Sequence, residues 1–113
     1  MEIRAAVIRL KPGSRARVKA WAEMINSRRE EALATLVDEG VYLESWFMFT
    51  EGGVDFLICY MRAESFERAE SAVKASIHEI DAYHQTFKKE TWESGQVAEL
   101  LVDLEVTANP NHS

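Results

Sequence analysis

Apolar residues recur along this chain with two different periods, and the changes of period mark its elements. Glu2 to Leu10 is short and apolar-rich, and Lys11-Pro12-Gly13-Ser14 closes it, which predicts a strand ending in a turn. From Arg15 to Glu39 no Pro or Gly interrupts the chain. Val18, Trp21, Ala22, Ile25, Ala32, Leu33, Leu36 and Val37 recur there at helical spacing, with Ser14 placed to cap the start and Gly40 to end it. Val41 to Thr50 and Val54 to Arg62 are rich in β-branched and aromatic residues and flank Glu51-Gly52-Gly53, the signature of a hairpin. Ser65 caps a second helical region through Phe66, Ala69, Ala72, Val73 and Ile77. That region continues, with a break near Ser76 to His78, through Ile80, His84 and Phe87 to about Trp92. Glu93-Ser94-Gly95 ends it, and Gln96 to Val106 alternates as a fourth strand. Thr107 to Ser113, with Asn-Pro-Asn, reads as a frayed tail.

The predicted order is β-α-β-β-α-β, a ferredoxin-like α+β arrangement: a four-stranded antiparallel sheet with strands one and three central and helices on one face. Residues 1–106 form the domain and 107–113 the tail. Both sheet faces carry large apolar groups. In the second strand Val41, Leu43, Phe47 and Phe49 lie on one face and Tyr42, Glu44, Trp46 and Met48 on the other. In the third Val54, Phe56, Ile58 and Tyr60 oppose Asp55, Leu57, Cys59 and Met61, and in the first Ile3, Ala5 and Val7 oppose Ala6, Ile8 and Leu10. A solvated antiparallel face does not read this way, and an apolar face of that extent calls for a partner. A homodimer packed sheet to sheet is the expectation.

Composition narrows the classes. Thirteen Lys and Arg stand against 19 Asp and Glu, a formal net charge of -6, which argues against nucleic acid or an anionic membrane as partner. The single cysteine, Cys59, excludes an intramolecular disulfide and a cysteine zinc site, and fits a reducing compartment. The charged N-terminus lacks a signal-peptide block, and the longest apolar run, Phe56 to Met61, is too short to span a bilayer. The expectation is a cytoplasmic protein.

The element order, the two-sided apolar sheet and the stretch His78-Glu-Ile-Asp-Ala-Tyr-His84-Gln-Thr-Phe87 with Trp92 beyond it resemble an uncharacterised bacterial family of the dimeric α+β-barrel superfamily. Trp21 to Glu31, with Arg28-Arg29-Glu30-Glu31, and Glu44-Ser-Trp-Phe fit the same resemblance, which covers about residues 2 to 106. It implies the dimeric barrel and a range of activities: cofactor-free monooxygenases, haem-degrading enzymes, stress-responsive barrels and binding proteins. The haem-degrading branch is least similar, since its members carry an Asn on the first strand, where this chain has Arg4 and Arg9.

Candidate chemistry centres on the second helical region. At about 100° per residue Val73, Ile77, Ile80, His84, Phe87 and Thr91 form one stripe, so His84 should face the sheet. Asp81 stands three residues from both His78 and His84 and can orient either imidazole, making His84, Asp81 and His78 the candidate catalytic set. The competing reading is a buried histidine that fixes packing. Their i, i+3, i+6 spacing is too wide for one metal ion, and no metal or cofactor is expected. Arg28 and Arg29 interrupt the apolar stripe of the first helix, either anchoring an anionic ligand or pairing with an acid. Glu44 lies among aromatic residues on its strand, and Tyr83 and Trp92 near helix ends are pocket candidates.

The functional expectation is a small protein that binds a partly apolar molecule in a helix-sheet cavity. One version is a cofactor-free oxygenase or isomerase. The other is a non-catalytic ligand-binding or stress-related module.

Overall fold

The computed structural model describes residues 1–106, so the expected tail, Thr107 to Ser113, lies outside the described residues. The chain runs β1 (Glu2–Leu10), α1 (Arg15–Ser27), α2 (Arg29–Glu39), β2 (Val41–Glu51), β3 (Val54–Ala63), α3 (Phe66–Ala75), α4 (Glu79–Thr91) and β4 (Trp92–Val97). The strands pair antiparallel in the order β2-β3-β1-β4. This corrects the expected ferredoxin-like β-α-β-β-α-β order. Paired helices, not single ones, stand between β1 and β2 and between β3 and β4.

Both helix divisions have local causes. Arg28 leaves helical geometry at φ −114°, ψ 42°, and its carbonyl accepts from Ala32 N at 3.1 Å to open α2. Glu30 and Glu31 in the first turn of α2 favour a start there, since carboxylates suit the positive end of a helix. The second break follows Ala75. Ser76 is extended, and its hydroxyl accepts the amide proton of His78 while donating to Asp81. Ile77, expected on the buried stripe, is consequently 96% exposed.

The fourth strand is also corrected, from Gln96–Val106 to Trp92–Val97. Helix α4 ends directly into extended backbone at Trp92, which pairs with Leu10, and a bulge at Glu93 restores the register at Ser94 opposite Arg9. Ala98 N still donates to Ala5 O at 2.8 Å, and residues 99–106 have no strand neighbour among the described residues. Residues 98–106 leave the sheet with Leu101, Leu104 and Val106 exposed, while Arg62 holds Asp103 at 2.8 Å.

The hairpin between β2 and β3 turns on Gly52 and Gly53, both at positive φ, which glycine adopts without a Cβ penalty. A bulge between Val41 and Leu43 puts Val41, not only the even-numbered residues, on the helix side, where it packs with Ala63 and Ala69. The main core joins Ile8, Leu10, Leu57 and Cys59 of the sheet to Val18, Trp21 and Phe87 of the helices. Among the described residues the helices pack on that side of the sheet and leave the opposite face without one. Phe49 and Phe56 stack there with ring centroids 5.1 Å apart, and Phe47 is 58% exposed.

Candidate functional site

Between the helix-side face of the sheet and the helices lies a cavity of about 990 Å³ that opens to solvent. Cavities of this order hold small-molecule ligands. Strand alternation brings Glu44 and Trp46 of β2 into it. The i, i+4 spacing of α4 brings His84 and Lys88 in from above, and β4 adds Trp92.

Helix α1 fixes the imidazole. Trp21 stacks flat on Phe87, with centroids 4.5 Å apart, and its indole Nε1 donates to His84 Nδ1 at 3.1 Å. An indole N–H can only donate, so Nδ1 is the acceptor and the ring proton resides on Nε2. Nε2 has no protein partner among the described residues. Burial, assisted by the Lys88 ammonium, pushes the His84 pKa down to about 4, so the ring is neutral at pH 7.

Trp46 links this imidazole to a carboxylate. Its indole ring lies 5.6 Å from the His84 ring, and its Nε1 donates to Glu44 Oε1 at 3.0 Å. Burial raises the pKa of Glu44, opposed by the Trp46 hydrogen bond and by Lys88. Lys88 holds its Nζ 4.7 Å above the Trp92 ring, a cation–π contact. Burial lowers its pKa, with Cys59 and Glu44 pulling it back. Among the described residues no carboxylate oxygen lies within 4.0 Å of this ammonium. At the cavity wall Glu39 is pushed up to about 7, first by burial and then by Glu44, Asp81 and Asp38. Burial drives the Cys59 thiol up to about 12, too high for a thiolate nucleophile.

Of the residues expected from sequence, His84, Asp81, Glu44, Arg29 and Trp92 line this one cavity. His78 does not. It lies before α4 with Nε2 2.9 Å from Asp38 Oδ2, beside a separate cleft of about 170 Å³. Asp81 orients neither imidazole, since it accepts from Ser76 and His84 is held by Trp21. Arg28 pairs with Glu31 one turn on, not with an acid of β2 or α4. The Tyr83 hydroxyl accepts from Arg17 at 2.9 Å, outside the cavity lining. Trp21, Trp46, Lys88 and Glu39 complete the site without having been singled out. Lys88 stands four residues beyond His84, a signal that was present in the spacing. No cluster of three or more His, Cys, Asp or Glu able to hold a metal occurs among the described residues.

The family model of DUF6176 matches residues 1–112. The chain belongs to this family of unknown function. No curated protein matches it. Membership in DUF6176 agrees with the resemblance to an uncharacterised family, while the α+β-barrel superfamily and a bacterial origin rest on that resemblance alone. Among the described residues of this DUF6176 chain, no helix is long and apolar enough to cross a membrane.

Proposed function

We propose that this protein binds a small, partly apolar molecule in the helix-sheet cavity and acts on it with acid-base groups. One observation carries the reading. The Glu44 carboxyl and the Lys88 amine line the same cavity without pairing to each other, and among the described residues His84 Nε2–H has no protein partner. The three groups are half-buried on a cavity open to solvent, so a ligand whose own polar atoms replace the water there can meet all of them. Trp46 and Trp92, with centroids 6.0 Å apart, offer aromatic surface for the ligand's apolar body. Unpaired acid-base groups on an open cavity favour an enzyme of the oxygenase or isomerase type over a passive binding module.

The test uses 2-indanone, a compact ketone on an aromatic frame. Its titration should change the emission of the cavity tryptophans saturably, and Trp46→Leu should weaken binding by tenfold or more with unchanged circular dichroism. A strictly linear response in the wild type would overturn the reading.

The reading includes a second copy of the chain on the free sheet face. Leu43, Phe47, Phe49 and Phe56 form a surface that a twofold axis can match to itself. The apolar residues of 98–106, held beside that face through Arg62, add surface that a partner would cover.

A further inference from the structure

We propose that the cavity catalyses proton transfer at a carbon next to a carbonyl group, with Glu44 as the base and the His84 Nε2–H as the donor to the carbonyl oxygen. The inference rests on the small-molecule reading above and adds to it a substrate class: an apolar ketone or aldehyde with an acidic C–H.

The roles follow from hydrogen-bond direction. Trp21 occupies the Nδ1 lone pair of His84, so the imidazole presents only a proton to the cavity. It can stabilise a developing oxyanion, and it has no free lone pair with which to remove a proton. The base is therefore another group. Cys59 is held as a thiol, and Asp81 is engaged by Ser76. Glu44 has one oxygen fixed by Trp46, while Oε2 has no protein partner among the described residues. The same indole flanks both His84 and Glu44, so a planar substrate against Trp46 reaches the donor and the base together. Burial raises the basicity of Glu44 above that of an ordinary carboxylate. Glu39 stands farther along the wall, where its raised pKa leaves it partly protonated near neutrality. The Lys88 ammonium adds positive potential over the site.

The step balances without an oxidant. Glu44 takes the proton from the α carbon. The electrons of the broken C–H bond form the enolate C=C, and the carbonyl π pair moves onto oxygen, where Nε2–H donates to it. Return of the proton to the same carbon gives exchange with solvent, and return to another carbon gives an isomer.

The full-length protein is mixed with 2-indanone in D2O, and loss of the methylene signal is followed by proton NMR. Wild type should exchange these protons faster than an equal concentration of Glu44→Gln by about 10²-fold or more. Glu44→Gln should still bind 2-indanone by tryptophan emission. Trp21→Phe removes the indole donor and frees the ring to change tautomer. It should slow exchange and move the proton of His84 off Nε2 in the imidazole nitrogen spectrum. Saturable binding with no exchange above the Glu44→Gln rate would overturn this proposal and leave the binding reading standing. Equal rates for wild type and Glu44→Gln, or a Trp21→Phe tautomer change with no loss of rate, would overturn it as well. Absence of saturable binding would remove both readings.

Discussion

The imidazole of His84 lies between an indole donor and an open cavity, and its charge state follows from both. Its folded pKa of about 4 lies below its ordinary value of 6.5, so the unfolded chain takes up this proton first as pH falls. Stability is therefore lost as pH drops from 6.5 toward about 4, by up to about 3 kcal/mol at about 1.4 kcal/mol per pH unit. His84→Gln lacks this dependence. Urea denaturation should show the wild-type advantage over His84→Gln shrinking between pH 7 and pH 4.5, and a constant gap would contradict a depressed pKa. Glu39 acts with the opposite sign. Its folded pKa of about 7 exceeds the ordinary 4.5, so its contribution is present below 4.5 and is lost as pH rises through 7. Glu39→Gln should remove that alkaline loss in the same measurement. The burial of His84 was legible from the stripe of α4. Its partner was not, because Trp21 reaches it from α1 and periodicity says nothing about which helices meet.

Element boundaries were legible where side chains announce them. Gly40 ends α2 at φ 71°, with its N–H bonded to Leu36 and Val37 carbonyls, and a Cβ there would stand 3.0 Å from Arg68 Nη1. Gly40→Ala should destabilise the protein by about 1–2 kcal/mol, the cost of left-handed backbone for an L-residue. An unchanged melting temperature would mean that the turn rearranges freely. The division at Arg28 had no Gly or Pro to signal it. It rests on Glu30 and Glu31 favouring a new helix start, and Arg28 stays local by pairing with Glu31. Arg28→Ala and Arg29→Ala should both leave the melting temperature close to wild type, since the Arg28–Glu31 pair lies at the surface, where ion pairs contribute little, and Arg29 is exposed. A large drop for either would reveal a partner across the fold. The fourth strand was misplaced because residues 98–106 alternate as a strand does, yet only Ala98 finds a neighbour on β1. Pattern marks a segment able to pair, and pairing also requires a free edge at the right height.

At the scale of the whole molecule, one sheet face is covered by helices and the other presents aromatic side chains to solvent. The apolar character of both faces was legible in strand alternation, since that pattern needs no knowledge of the helix count. If the free face pairs two copies, light scattering should report about twice 12.9 kDa, and Phe47→Asp should reduce the mass to that of one chain. A wild-type monomer would contradict the pairing and leave the cavity account untouched, because Glu44, Lys88 and His84 all lie on the opposite side of the sheet. That cavity is the centre of the account, and an NMR titration with 2-indanone tests it most directly. The resonances of His84 Nε2 and of the Trp46 and Trp92 indoles should shift saturably together while the His84 proton stays on Nε2. Saturable binding that leaves these three signals unmoved would place the ligand elsewhere and contradict the account.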